Sequence, residues 1–398
     1  MAKRFHSAAA CGIAAALALV LLVGCTGGGQ PTADPEHSRV TTAHPARSAG
    51  SSALAPTPAK PASFTVVATG DVLIHPQLTA QARADATGGK RLNFRPLLAG
   101  VRPLVRGADL AICHLETPLA PAGGPYEGWP TFAAPPQVLD ALRWAGYDTC
   151  STASNHTMDQ GFAGIRRTLA DLDHAGIAHT GSAATAAAAR TPDILDVHGT
   201  KVAQLSYTFG LNGLPRPPGK PWAANLIGAR RILAAAHRAR AAGAQVVIAS
   251  LHWGVEYHHP PTTDQVSLAR RLLASPDIDV IIGCHAHVVQ PVAKVHGKWV
   301  VYGMGNEVAR HADATPENRE GLAVRFTFTK RASGWAVTHV EAVPLWMRLS
   351  PKLRLVDLAT TRHRTPAEQA AYEQVGRIVR SGNGSGSSDE GLSVAGSG

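Results

Sequence analysis

Aromatic residues make up only 5% of the 398-residue chain. With alanine abundant in their place, helices are expected to be numerous and small-faced. No internal repeat is visible, which excludes a solenoid or an array. No basic block carries interleaved aromatics, so the formal charge of +10 gives no sign of a nucleic-acid partner. The excess fits contact with anionic cell-envelope polymers, or simply an arginine-rich background. The five cysteines include no CxxC pair. Cys11 and Cys25 lie in the leader region, and Cys113, Cys150 and Cys284 are an odd remainder. A disulfide framework is therefore not expected, and these three read as small buried strand residues, with a thiolate ligand as the alternative.

Hydrophobic residues make up 45% of the chain, enough for a substantial core in one large domain or two ordinary ones. The N-terminus stands apart. Lys3 and Arg4 precede the apolar run "AAACGIAAALALVLLVG", which is too short and too Gly/Ala-rich for a permanent membrane span and reads as a secretory signal over residues 1–24. It ends in "LLVGC", which resembles a bacterial lipobox. That resemblance implies cleavage before Cys25 and a lipid on its sulfur; the alternative is an ordinary signal peptide. Cleavage would remove Lys3 and Arg4 and lower the charge from +10 to +8. Residues 25–62 are dominated by Gly, Ser, Thr, Pro and Ala and cannot bury enough surface to offset ordering entropy. They are expected to form a tether that holds an extracytoplasmic domain at the bacterial membrane.

From residue 63 the texture changes to short β-rich runs alternating with helical spacing, with hairpins toward the end. Turns are expected at Gly199–Thr200 and Gly297, and a helix stop at Gly146. This is an α/β layered domain with mixed sheets over 63–347. The run "TPAEQAAYEQVGRIVR" carries a capping box, with Thr365 as N-cap, Pro366 at N1 and Glu368 at N3. It predicts a helix within a C-terminal extension over 348–380. Residues 381–398 read as a disordered tail.

Five segments share one grammar: "VVATGDVLIH", "LAICHLET", "TCSTASNH", "VVIASLHWG" and "VIIGCHAH". In each, an apolar strand ends and metal-ligand residue types follow at once. Strand ends in layered α/β folds converge on one edge. Asp71, His75, Glu116, Asn155, His156, His252, His285 and His287 are therefore expected to gather. Imidazole, carboxylate and amide oxygen together suit two divalent transition metals such as Mn, Zn or Fe. Two residues apart on an extended chain share a face, so His285 and His287 are expected to straddle such a pair.

The order Asp, acidic residue, Asn-His, His, Gly-x-His-x-His resembles the calcineurin-like metallophosphoesterases. More closely, "TGDVLIH", "ADLAICHLETPL", "ASNHTMDQG", "SLHWGVEY", "PPTTDQVSLARRLL", "GCHAHVVQP" and "VVYGMGN" resemble, in order, the motifs of the CapA family of poly-γ-glutamate capsule synthesis over residues 64–310. The resemblance implies a four-layer α/β/β/α metallophosphatase-like sandwich. It implies that Asp71 and His287 bind one metal, that Asn155, His252 and His285 bind the other, and that Glu116 bridges. His156 would face the substrate as a catalytic group. His75, four residues beyond Asp71, departs from the phosphoesterase Asp-x-His and is assigned to substrate contact. His114 is either an extra ligand or a hydrogen-bonding residue. Asp159 would shape the turn after His156, and Asn306 would support the site from a later strand. His258 and His259 belong to the cleft or to a solvated loop. Glu116 in place of aspartate leaves ordinary phosphoesterase activity open. The resulting expectation is a metal-dependent hydrolase acting on an anionic polymer such as poly-γ-glutamate, together with capsule-synthesis machinery. The alternatives are a non-catalytic polymer-guiding lipoprotein and a general cell-surface phosphoesterase.

Overall fold

The computed structural model describes residues 62–89, 91–383 and 390–396. The signal segment, Cys25 and nearly all of the tether lie outside the described residues. Strands β1 (Ser63–Val72), β2 (Leu110–Leu115), β3 (Thr149–Ser151) and β4 (Ala178–Thr180) alternate with helices. Next come β5 (Asp193–Val197), β6 (Thr200–Thr208), β7 (Val246–His252), β8 (Val280–Cys284), β9 (Val292–Val295) and β10 (Lys298–Val301). The last are β11 (Asn306–Val308), β12 (Glu320–Arg331), β13 (Gly334–Arg348), β14 (Arg354–Asp357) and β15 (Leu392–Val394). The helices are α1 (Pro76–Ala84), α2 (Arg95–Leu98), α3 (Arg102–Arg106), α4 (Val138–Ala145), α5 (Gly161–Ala175), α6 (Ala229–Ala241), α7 (Thr263–Leu273) and α8 (Pro366–Arg380).

The strands form two mixed sheets. The first runs β14-β13-β12-β1-β2-β3-β4, with β11 on β1 and β15 on β13. The second runs β5-β6-β7-β8-β10-β9. Their facing surfaces share one core. Phe64, Val66 and Ala68 of β1 pack with Ile248 of β7 and Ile282 of β8. The intervening Val67 points the other way, toward α1 to α5. On the outer face of the second sheet, Ala203, Val247 and Ile281 pack against α6 and α7. Period-two alternation thus gives each sheet two apolar faces, and four α/β/β/α layers follow. The expected layer order is present.

Local signals act as their chemistry requires. The Thr365 hydroxyl accepts from the Glu368 amide, and the Glu368 carboxylate accepts from the Thr365 amide, which closes the capping box of α8. α4 stops at Gly146, whose φ is 113°. The hairpins turn at His198–Gly199, one residue before the expected Gly199–Thr200 because Thr200 already pairs with Val197, and at His296–Gly297, each pair at positive φ.

Three expectations are corrected. Cys113 and Cys150 form a disulfide. β2 and β3 are parallel neighbours with these two residues in register, and their Cα atoms are 4.5 Å apart. Leu392–Val394, expected in a disordered tail, pairs in parallel with Val340–Ala342 of β13 and buries Val394 in the inter-sheet core. The domain edge expected at 347 falls inside β13; β14 extends the same sheet, and Val375 and Val379 of α8 join its core.

Candidate metal centre

The parallel strands β1, β2 and β3 of one sheet, and β6, β7 and β8 of the other, bring their C-terminal ends to a common edge. Asp71 lies at the end of β1 opposite Asn306, and Glu116 directly follows β2. Asn155 and His156 follow β3, His252 ends β7, and His285 and His287 follow β8. All eight residues singled out by the strand-end grammar are buried together with His114 and Asn306. Two glycines permit the close approach. A Cβ on Gly70 would overlap the Gly305 carbonyl, and one on Gly283 would overlap the Tyr302 carbonyl.

His285 and His287 converge for a reason other than strand alternation. β8 ends at Cys284, and the two histidines then take φ values of 98° and 55°. Each left-handed non-glycine residue costs roughly 1–3 kcal/mol, so the surrounding structure must impose the turn. Asp71 contributes, because its two carboxylate oxygens accept from the His285 amide at 3.3 Å.

Glu116 sits where two ligand groups meet. One group is Glu116, His252 and His285; the other is Asp71, Glu116 and His287. Its Oε1 lies 3.8 Å from Nε2 of both His252 and His287. Neither carboxylate oxygen has a hydrogen-bond partner, although the residue is 1% exposed. Buried carboxylate oxygens ordinarily have at least one. Asn155 Oδ1 and His252 Nε2 lie 2.8 Å apart, and His285 Nδ1 is likewise buried without a partner. Asp71, His114 and Cys284 form a third group that sequence reasoning did not single out as a set.

The neighbouring groups orient this cluster. His114 Nε2 lies 2.9 Å from His252 Nδ1, and His114 Nδ1 lies 2.7 Å from Ser151 Oγ. His114 therefore sets the His252 tautomer and belongs to the hydrogen-bonding alternative as far as His252 is concerned. His287 Nδ1 lies 3.1 Å from Asp71 Oδ2 and 3.0 Å from Asn306 Oδ1. The Asn306 amide nitrogen donates to the Asn318 carbonyl, which fixes its rotamer.

Electrostatics prepare most of the histidines as neutral donors. Burial drives His285 down to about 3, and the charge of His287 adds to this. Burial lowers His114 to about 4 against the pull of Asp71. Burial and four neighbouring imidazoles hold His252 well below its ordinary value. His287 is the exception. Burial opposes its charge, but Glu116 and Asp71 together hold it near 10. Burial and the Asp71 charge push Glu116 well up. The set fits divalent cations: the orphaned Glu116 oxygens, neutral imidazoles and an amide oxygen are the donors such ions need.

The cluster opens into a cleft of about 1370 Å³. His156 and His75 line it. The Asp159 carboxylate accepts from His156 Nδ1 at 2.7 Å and from the Phe132 amide at 2.7 Å. Asp159 thus orients the imidazole as well as the turn. His75 stands apart from the ligand groups; its Nδ1 accepts from the Arg310 amide, and burial lowers it to about 4. His259 reaches the cleft, whereas His258 is exposed. Sequence reasoning missed His311, Tyr257 and Trp129. His311 contacts Asn306 and lies five residues past the last quoted motif, on a loop without periodicity. Trp129 is 80% exposed at the cleft, so burial pattern could not reveal it. Among the described residues, no lysine or arginine lines the cleft.

The fold and the cluster define a class: a four-layer α/β sandwich with a histidine–carboxylate–amide centre at its strand ends. Comparison with known sequences gives the family. The profile of the "Bacterial capsule synthesis protein PGA_cap" family matches residues 65–311, and the chain belongs to that family. A "Probable polyglutamine synthesis accessory protein" of Mycobacterium tuberculosis is 28% identical over 291 residues, covering 62% of this chain and 75% of that one. The "PGA biosynthesis protein CapA" of Bacillus subtilis is 26% identical over 211 residues, covering 52% of this chain and 53% of the relative. The match thus spans about half the length of that relative. Among solved structures, the calcineurin-like phosphoesterase YfkN of Bacillus subtilis aligns over 79% of this chain and 97% of its own, at 15% identity and a TM-score of 0.45.

Proposed function

We propose that this protein is an envelope-anchored metallohydrolase acting in the synthesis or processing of an extracellular polyanion such as poly-γ-glutamate. The observation that carries the proposal is Glu116: a buried carboxylate without hydrogen bonds, shared by two ligand groups. Asp71, Glu116 and His287 would hold one divalent transition metal. Asn155, His252, His285 and Glu116 would hold the other. Such a pair supplies Lewis acidity and a hydroxide at neutral pH. With Nε2 of His252 serving as ligand, its Nδ1–H donates to His114 Nε2, and His114 Nδ1–H donates to Ser151 Oγ. His156 Nδ1–H donates to Asp159, which leaves Nε2 to carry a proton to or from a leaving group in the cleft. His75 and His311 face the same space as neutral imidazoles. The lipobox-like "LLVGC" supports the anchor, and the Cys113–Cys150 disulfide suits an oxidising compartment outside the cytoplasm. Membership of a capsule synthesis family supports the polymer.

The test is hydrolysis of γ-glutamyl and phosphodiester substrates by full-length protein supplied with Mn or Zn. His156→Ala is expected to abolish turnover while metal content persists. Turnover that survives in this variant would overturn the role of His156. A second reading, a lipoprotein that guides polymer without cutting it, is favoured by one observation. Among the described residues no lysine or arginine lines the cleft, so the chain's lysine and arginine charge lies elsewhere. Absence of turnover on either substrate by metal-replete protein would select it.

A further inference from the structure

A second cavity, of about 530 Å³, lies away from the metal ligands beside the outer helix α6. Arg190, Arg216, Arg230, Arg231 and Arg238 line it, and Asp193 is the one acidic residue among the lining side chains. Three of the arginines belong to α6. Arg231 and Arg238 lie seven residues apart, close to two helical turns, so they share a face. Ala234 and Ala235 stand between them and leave the space open. None of the five arginines forms an ion pair with a carboxylate among the described residues. Elsewhere on the protein arginines do find such partners, as Arg240 does in Asp279 and Arg325 in Glu341. Arg216 donates only to the Pro221 carbonyl.

Five guanidinium groups around one cavity repel one another, and each presents a planar fork matched to carboxylate or phosphate oxygens. The repulsion is relieved by a ligand carrying several negative charges. The metal cleft has a different character, with Asp159, Glu256, Asp313 and Glu317 at its walls and, among the described residues, no lysine or arginine. One segment connects the two, since Asn212 and Leu214 line the cleft and Arg216 lines the arginine cavity. We infer that the arginine cavity is a binding site for a multivalent oxyanion, separate from the metal centre. It takes the charge of an anionic chain that the cleft, without lysine or arginine among its described lining residues, leaves unbalanced. The inference stands whether or not the cleft catalyses a reaction.

The experiment measures fluorescence anisotropy of a labelled glutamate decamer with full-length protein in chelator, with unlabelled tripolyphosphate as competitor. Binding is expected, and Arg231→Gln/Arg238→Gln should weaken it by about tenfold or more, two lost charge-assisted contacts being enough for that. The Arg331→Gln/Arg362→Gln control removes the same charge from exposed positions elsewhere and should leave binding nearly unchanged. Displacement by tripolyphosphate would extend the site's ligands to phosphates, and decamer binding without displacement would restrict them to carboxylates. No binding of either anion, or an equal loss in the control, would overturn the inference. A failed hydrolase assay would not, because chelator is present throughout.

Discussion

Replacing Glu116 by glutamine separates the cost of burying this side chain from the benefit of loading it with metal. In chelated protein the Glu116 carboxyl is pushed up by burial and by Asp71, and neither oxygen has a hydrogen-bond partner. Glutamine has nearly the same shape and leaves the same positions unmet. An unmet buried polar group costs about 1–3 kcal/mol in either form, so the difference between the two should stay within about 1 kcal/mol. Metal changes this balance. A cation at 100 times its Kd stabilises the folded state by about 2.7 kcal/mol per site. At about 2–4 °C per kcal/mol, that raises the melting temperature of the wild type by roughly 5–10 °C for each site filled. Glu116 belongs to both ligand groups, so Glu116→Gln should lose most of that rise. Differential scanning calorimetry in EDTA and in Mn would read both quantities. A variant that matches the wild type in EDTA and also keeps the full metal-induced rise would refute the reasoning.

Acidification should cost the chelated protein the stability of its buried neutral histidines. His114 and His285 are lowered to about 4 and about 3, so the unfolded chain binds more protons between those values and the ordinary histidine range. The stability they contribute is present above about pH 6.5 and is lost as pH falls toward 4; for His114 alone it reaches about 3 kcal/mol. Glu116, Asp193, Glu307 and Glu320, pushed up by burial, and His287, raised against burial to about 10 by its carboxylate neighbours, act in the opposite sense, so the histidine contribution is read by comparison with a variant. On going from pH 7 to pH 4.5, the urea midpoint of His114→Gln/His285→Gln should rise relative to that of the wild type, and an unchanged difference would contradict the neutral imidazoles. The disulfide closes a loop of 37 residues, for which the chain-entropy relation gives about 4 kcal/mol. Cys113→Ala/Cys150→Ala should lower the denaturant midpoint accordingly, and a change below about 1 kcal/mol would show the bond to be dispensable.

How far the sequence reveals the site depends on what each feature requires. Asp71, Glu116, Asn155, His156, His252, His285 and His287 are legible because each follows an apolar run, and parallel strands bring such ends to one edge. The local conformation there is not legible. His285 and His287 meet through a turn at positive φ, imposed partly by Asp71, more than two hundred residues away in sequence. The Cys113–Cys150 bond depends on lateral register between neighbouring strands, which neither residue's own surroundings encode. β15 is three residues in a Gly/Ser-rich stretch, and its partner Val340–Ala342 lies fifty residues earlier. The arginine cavity collects side chains from three separate segments, so no single stretch of sequence marks it.

The central claim is that the strand-end cluster holds divalent metal. Elemental mass spectrometry on full-length protein, prepared without chelator and reconstituted with Mn or Zn, tests it most directly beside a His285→Ala/His287→Ala variant. The account predicts about two transition-metal ions per chain in the wild type and a large loss in the variant. A metal-free wild type after reconstitution, or equal metal in both proteins, would contradict it.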